Sequence, residues 1–261
     1  MRRQLIDYGR EGRALIDVPV LDAHGHLGGM SGWNPPPLQQ QVKEMERLGV
    51  DRAVLSSSLA VSGAVREGND ALIEALERYP DRLLGYCHVS GNYPELMVPE
   101  LERCFALEGF VGIKIYQVGC PYDSDRFAPA YEFAAGRGVP VLAHTWGGNI
   151  GPLEGAAEAH PQVNFMAAHA GSGFAYQQYI DAARRHDNFY LDITLSRERT
   201  NQIEHFVEEV GADRIVWGSD APCFSMSHQL GKVLFARIPE NAKRAMLHDT
   251  AARLFGDPLG Q

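Results

Sequence analysis

The sequence predicts a single (β/α)₈ barrel, and three observations support it. Short hydrophobic runs alternate with amphipathic stretches from about residue 20 to the end of the chain, and eight runs recur at a spacing of about 28 residues. The length of 261 residues suits one barrel, which commonly takes about 250 residues. We expect one domain over residues 1–261, in which residues 1–17 form an N-terminal lead-in segment.

The hydrophobic runs are the predicted strands. Most of them are near-continuous rather than alternating, which is typical of parallel strands buried on both faces. In chain order they cover residues 18–23, 52–57, 83–89, 110–116, 139–144, 163–169, 189–194 and 215–219.

Amphipathic segments between these runs are the predicted helices. Leu38, Val42, Met45 and Leu48 repeat at helical spacing, and Gly49 follows as a helix-ending glycine. Another strong helix is predicted from about residue 240 to 255. A doubly wound sheet uses the same alternation, but it usually carries a Gly-x-Gly-x-x-Gly turn after its first strand, and residues 28–32 do not match that pattern.

Composition and charge narrow the classes of partner. The chain is 45% hydrophobic and carries a formal net charge of −9 without a basic stripe, which argues against nucleic acid or an anionic membrane. Its 4 cysteines form no Cys-x-x-Cys pair, and no apolar segment approaches the roughly 18 residues of a membrane span. We expect a soluble cytoplasmic protein that acts on a small molecule, with a homo-oligomer as a candidate assembly state.

Four histidines and one aspartate fall at or beside the ends of predicted strands. They are His24 and His26 on the first strand, His144 on the fifth, His169 on the sixth and Asp220 on the eighth. The carboxyl ends of all barrel strands converge on one rim, and residues i and i+2 of a strand project to the same side. A lone His-x-His is a weak signal, but the joint placement gives His24, His26, His144 and Asp220 as a nitrogen and oxygen ligand set that suits Zn²⁺ or a similar metal.

Five motifs together resemble the amidohydrolase superfamily. They lie at residues 22–26, 109–114, 143–145, 168–171 and 218–222, and their order and spacing cover nearly the whole chain. The resemblance is closest to the amidohydrolase-related (amidohydrolase 2) metal-dependent hydrolases, the group that includes aminocarboxymuconate-semialdehyde decarboxylase. It implies a TIM barrel that holds one divalent metal, usually zinc, with Mn²⁺ as another candidate.

Carried over residue by residue, the resemblance implies that His24, His26, His144 and Asp220 are metal ligands. His169 would be a catalytic histidine beside the metal. The sequence departs from the group in two places: the stretch after His26 is short, and Tyr116 stands where relatives often place another histidine. Because of these two departures, the resemblance does not identify the substrate.

Our leading functional hypothesis is a metal-dependent hydrolase that attacks an amide, lactone or related carbonyl bond with a metal-activated water. Asp220 would take a proton from that water, and His169 would polarise the substrate carbonyl. The same groups would also serve a non-oxidative decarboxylase or hydratase of a small unsaturated or aromatic carboxylate. A non-catalytic ligand-binding barrel is the third alternative, although such a scaffold has no need of a complete site.

Several residues near the rim are candidates for substrate contact. Buried Lys114 would pair with a carboxylate or reach the substrate rather than bridge two metals as a carbamate. The other candidates each have an alternative as core cover or solvated surface: Trp33, Tyr116, Trp146 and Cys223 as pocket lining, and Arg66 and Arg197 as partners of a substrate carboxylate.

Overall fold

A computed structural model of the chain describes residues 3–29, 34–146, 149–170, 172, 175–194 and 200–256. It confirms the predicted barrel: eight parallel strands pair in sequence order, each with the next along the chain. The strands are β1 (Leu21–Leu27), β2 (Arg52–Ser57), β3 (Leu83–His88), β4 (Phe110–Ile115), β5 (Val141–Ala143), β6 (Phe165–Ala167), β7 (Phe189–Asp192) and β8 (Ile215–Val216).

Helices connect the strands and surround the sheet. They are α1 (Leu5–Glu11), α2 (Leu38–Leu48), α3 (Ser58–Val61), α4 (Val65–Arg78), α5 (Pro94–Phe105), α6 (Ala128–Arg137), α7 (Gly151–Ala159), α8 (Tyr176–Arg185), α9 (Gln202–Val210), α10 (Met226–Phe235), α11 (Glu240–Arg244) and α12 (Thr250–Phe255). A π-helical turn, Ala245–Asp249, joins α11 to α12, so the predicted last helix forms with one widened turn. Within the described residues, no helix has the length and apolarity needed to cross a membrane.

The local signals for α2 act as expected. Val42 and Met45 are buried, and the helix ends at Gly49, whose φ of 79° lies in the left-handed region. The lead-in segment forms α1, where Leu5 and Tyr8 are buried and the Leu5 amide donates to Glu240 Oε2 at 3.0 Å. This segment therefore packs against the barrel.

Backbone hydrogen bonds between β1 and the residues that follow β8 close the barrel. The amide of Ala23 donates to Trp217 O at 3.0 Å, and the amide of Asp220 donates to His24 O at 2.7 Å. The amide of His26 then donates to Ala221 O, also at 2.7 Å. This seam holds His24, His26 and Asp220 side by side at the carboxyl ends of the strands.

Several strand ends differ from the prediction, at both the amino and the carboxyl ends of the strands. β1 begins three residues later than predicted and runs through His26, with a bulge between Asp22 and Gly25. β6 and β8 end earlier than predicted, at Ala167 and Val216, and beyond them His169 and Asp220 adopt left-handed φ angles of 60° and 55°, which a strand excludes. Both side chains are thereby turned out of the sheet ladder at the mouth of the barrel.

Candidate metal centre

The structure brings three of the predicted site residues into one buried cluster. Donor atoms of His24, His169 and Asp220 all lie within 4.8 Å of one another, and the three residues are 0%, 2% and 4% exposed. They come from β1 and from the turns after β6 and β8, at the rim where barrel enzymes place their active sites. Two further predicted ligands, His26 and His144, lie around this cluster.

Hydrogen bonds fix which nitrogen of His24 faces the site. Its Nδ1 lies 2.6 Å from Asp192 Oδ2, and an ionised carboxylate only accepts. The proton therefore stays on Nδ1, and the Nε2 lone pair points toward the cluster, as in many metal-binding histidines. Asp192 is held in turn by the Thr194 amide at 3.0 Å.

His169 is oriented by a different acceptor. Its Nδ1 lies 2.6 Å from the carbonyl oxygen of Thr194, so this nitrogen also carries the proton and Nε2 is left with the lone pair. The carboxylate of Asp192 thus holds His24, whereas the main-chain carbonyl of Thr194, just after β7, holds His169. Burial lowers the pKa of both imidazoles, which favours their neutral forms.

Asp220 carries an oxygen that the protein leaves unpaired. His26 Nε2 lies 2.9 Å from Asp220 Oδ1 and His24 Nε2 lies 3.8 Å from it. Neither contact is a well-directed hydrogen bond, and this buried oxygen has no hydrogen-bond partner among the described residues. Burial alone would raise the pKa of Asp220, but the neighbouring His26, His24 and His169 outweigh it and leave that pKa below its usual range.

These observations fit a divalent metal. Donor atoms bound to one ion at about 2.0–2.2 Å stand roughly 3 to 3.5 Å apart, close to the 2.9 Å and 3.8 Å separations from Asp220 Oδ1. An unpaired buried carboxylate oxygen is costly unless a ligand or ion satisfies it. Imidazole nitrogens and one carboxylate are donors that suit Zn²⁺ and Mn²⁺, so the cluster is chemically suited to hold such an ion.

His144 lies beside the cluster within an aromatic stack. Its ring centroid is 4.9 Å from that of His169 and 4.2 Å from that of Tyr116, on which it stacks. The ring of Trp146 is parallel to that of His144, with centroids 6.2 Å apart. These three aromatic residues, together with Tyr122, line a cavity of about 260 Å³. The predicted pocket residues Tyr116 and Trp146 are thus next to the site.

Lys114 also reaches the cluster. Its side chain is 1% exposed, and Nζ lies 3.2 Å from His24 Nε2. It therefore lies within reach of a predicted metal ligand. Burial lowers the pKa of Lys114 to about 8, although the charges of Asp220 and Asp192 oppose that shift.

Cys223 follows Asp220 and is half-buried, with its amide donating to Asp220 O at 2.8 Å. Burial and the charge of Asp220 raise the pKa of the thiol to about 12. The cavity lined by Tyr116 and Trp146 does not include Cys223, so the predicted pocket contact of Cys223 stays a prediction.

The structure does not bring Arg66 to the cluster. Its guanidinium pairs with Glu100 at 3.2 Å and with Asp70 at 3.7 Å, and it lines a separate cavity of about 290 Å³ between α4 and α5. An arginine engaged by two carboxylates in this way gives no support to the predicted substrate contact. Trp33 and Arg197 lie outside the described residues.

Sequence reasoning missed residues that support the cluster from behind. Ser56 Oγ lies 3.0 Å from His26 Nδ1. Asp22 accepts from the amides of His24 and Ser219, at 3.1 Å and 2.8 Å, and burial raises its pKa to about 7. Both residues are polar positions on the first two strands, which was the available signal. The Thr194 carbonyl, which orients His169, could not be predicted from the sequence, because a main-chain oxygen is present at every residue.

The fold and the site together define a metal-binding barrel of the amidohydrolase type. The chain belongs to the Amidohydrolase family, whose profile matches residues 21–256.

Among curated proteins, the chain is 25% identical to a gamma-resorcylate decarboxylase of Rhizobium radiobacter, over 82% of this chain and 86% of that protein. A gamma-resorcylate decarboxylase of a Polaromonas species is also 25% identical, over 83% of this chain and 86% of that protein.

Solved structures share the fold. A 2,6-dihydroxybenzoate decarboxylase from Rhizobium superposes with a TM-score of 0.78 at 20% identity, covering 92% of this chain and 99% of that chain. A dihydroxybenzoic acid decarboxylase from Polaromonas, with bound manganese and the inhibitor 2-nitroresorcinol, gives a TM-score of 0.76 at 20% identity over 94% of this chain and 98% of that one.

Proposed function

We propose that this enzyme is a metal-dependent, non-oxidative decarboxylase of a small aromatic carboxylate. The observation that carries the proposal is the buried cluster of His24, His169 and Asp220 next to a cavity walled by Tyr116, His144 and Trp146. Aromatic walls suit a flat ring, which packs against them in stacked or edge-on contacts. The named relatives are decarboxylases of dihydroxybenzoates, and this supports the decarboxylase alternative over the hydrolase that leads from the sequence.

Five residues form the machinery in this proposal. His24, His26, His144 and Asp220 would hold the metal, and His169 would stand beside it as the catalytic histidine. A divalent ion bound there supplies positive charge that orients and stabilises anionic substrate oxygens. The donor set suits both Zn²⁺, the ion expected from the sequence, and Mn²⁺, the ion in the relative from Polaromonas.

The chain must move one proton for the reaction to balance. A proton adds to the ring carbon that bears the carboxylate, the bond between that carbon and the carboxylate breaks, and CO₂ leaves while the bonding electrons return to the ring. Asp220 is the proposed proton carrier: Oδ1 would hold the metal, and the other carboxylate oxygen, Oδ2, would exchange the proton with the ring carbon. His169 Nε2 would accept a hydrogen bond from the substrate, because its Nδ1 is committed to Thr194.

Substrate turnover tests this proposal. The protein, loaded with Zn²⁺ or with Mn²⁺, would be incubated with 2,6-dihydroxybenzoate and related hydroxybenzoates, and CO₂ and the decarboxylated ring would be quantified together. We expect equal amounts of the two products, abolished by a chelator and restored by metal. Hydrolysis of lactones or amides without CO₂ release from any aromatic acid would favour the hydrolase instead.

Asp220→Asn tests the proton carrier, because an amide cannot exchange the proton that the ring carbon takes up. We expect its kcat to fall by about 10²–10⁴-fold, the range for general acid–base groups. Asp187→Asn is the matched control, since Asp187 is fully exposed and its only described ion pair is a long one with Arg214 at 3.7 Å. Unchanged turnover in Asp220→Asn would rule out the assigned role.

A further inference from the structure

Lys114 is placed unusually for a buried lysine. Its Nζ donates to His24 Nε2 at 3.2 Å, and no carboxylate oxygen of the described residues lies within 4.0 Å of it. Because the Nδ1 proton of His24 is held by Asp192, Nε2 is the only acceptor on that ring. The ammonium therefore uses the lone pair that His24 would offer to a metal ion.

One lone pair serves one partner at a time. A metal ion bound through His24 displaces the hydrogen bond from Lys114 and places a second positive charge near the ammonium. In a buried site such charges repel far more strongly than in water. Lys114 therefore opposes metal binding by competition for Nε2 and by charge.

The charge around the cluster also favours an anion. The carboxylates whose charges act on Lys114 are those of Asp220, a proposed ligand, and Asp192, which holds His24. With a divalent ion present, the two nearby carboxylates face the ion and the ammonium, so positive charge is in excess. A bound carboxylate would neutralise that excess and give the displaced ammonium a partner.

We propose that Lys114 couples metal binding to carboxylate binding: it competes with the metal for His24 Nε2 and then serves as a cationic partner of the bound carboxylate. This inference rests on the metal centre of the proposed function, not on decarboxylation itself. Thermodynamic linkage requires the coupling to be reciprocal, so a carboxylate tightens the metal as much as the metal tightens the carboxylate.

Metal affinity tests the first half. Zn²⁺ affinity would be measured by competition with a chromophoric chelator for the wild-type protein, Lys114→Met and Lys114→Gln, with thermal unfolding as a check on folding. We expect both neutral variants to bind Zn²⁺ at least about tenfold more tightly. Lys243→Met is the matched control: Lys243 is also buried, but its Nζ donates to the Leu234 carbonyl at 2.7 Å on another part of the barrel, and its loss should leave Zn²⁺ affinity unchanged.

Benzoate tests the second half as a simple aromatic carboxylate. We expect saturating benzoate to tighten Zn²⁺ binding by the wild-type protein, and to do so at least about threefold less in Lys114→Met and Lys114→Gln. No effect of benzoate on the wild-type protein, or an equal effect on all variants, would overturn the coupling.

Two other outcomes are informative. Equal or weaker Zn²⁺ binding by the folded Lys114 variants would overturn the competition, and loss of a second, bicarbonate-dependent metal ion would assign Lys114 as a carbamate ligand instead. Failure of the wild-type protein to release CO₂ from any aromatic acid, with the expected affinity changes intact, would reject the decarboxylase while this inference stands.

Discussion

At the residue scale, the partners behind the imidazoles decide what the site can do. His24 and His169 point lone pairs into the cluster because Asp192 and the Thr194 carbonyl hold their Nδ1 protons. Strand-end placement was enough to predict these histidines from the sequence. The acceptors that orient them were harder to predict. The Thr194 acceptor is a main-chain oxygen, and the Asp192 carboxylate could have accepted from either His24 or His169.

Asp192→Asn tests the role of the acceptor behind His24. The amide removes the negative charge that stabilises the Nδ1 proton, so we expect metal affinity to fall by about 10–100-fold, as for other second partners of metal-binding histidines. Chelator competition measures it, with exposed Asp187→Asn again as the control. Equal affinity in the two variants would show that the Asp192 carboxylate does not support the metal centre.

His88 gives a prediction for the pH dependence of stability. It is 3% exposed at the end of β3, its Nδ1 has no partner among the described residues, and burial together with the charge of Lys114 lowers its pKa to about 3. Between its usual pKa of 6.5 and this value, the unfolded chain binds a proton that the folded chain excludes. The stability that the neutral, buried His88 contributes is therefore fully present above about pH 6.5 and is lost progressively as the pH falls.

Urea unfolding at pH 7.5 and pH 5.0, with chelator present, measures this effect. Between pH 7.5 and pH 5.0, we expect the free energy of unfolding of His88→Gln to fall by about 2 kcal/mol less than that of the wild-type protein. This difference corresponds to about 1.36 kcal/mol for each pH unit below 6.5. The side chain can be replaced without loss of the Asn69 contacts, which involve only the backbone of His88. Exposed His228→Gln should behave as the wild type; identical pH dependence of all three proteins would refute the assignment.

At the element scale, the β1–β8 seam determines the geometry of the site. Hydrophobic runs and their spacing were sufficient to predict all eight strands and the order in which they pair. Their ends were not, because the bulge in β1 and the left-handed φ angles of His169 and Asp220 depend on contacts between segments that are distant in sequence. Local propensity carries no information about such contacts, so sequence reasoning extended β6 and β8 past their observed ends.

Gly218 permits the close approach of the two sides of the seam. A Cβ at this position would lie 2.5 Å from His24 Cβ and would also meet the Thr194 hydroxyl. We expect Gly218→Ala to weaken metal binding and to destabilise the chain by about 1–3 kcal/mol, the cost of overpacking. Gly136→Ala in α6 is the control: the added Cβ has open space around it, and the variant should stabilise the chain by about 0.5–1 kcal/mol. A Gly218→Ala protein with wild-type stability and metal affinity would contradict the described packing.

At the scale of the whole molecule, the barrel and its family followed from the sequence, but the reaction did not. Hydrolysis and decarboxylation place the same demands on the strand-end residues: a cation, a proton carrier and an oriented imidazole. The distinction depends on what fills the mouth, and the aromatic stack of Tyr116, His144 and Trp146 became visible only in three dimensions. Cytoplasmic location and a homo-oligomeric state stay predictions.

The metal content of the purified chain, with X-ray absorption at the edge of the bound metal, tests the central claim most directly. The strand-end cluster predicts about one tightly held divalent ion per chain, with nitrogen and oxygen ligands and no sulfur, because its donors are imidazoles and a carboxylate. A chain that holds no ion after purification and takes up neither Zn²⁺ nor Mn²⁺ on incubation would contradict the account.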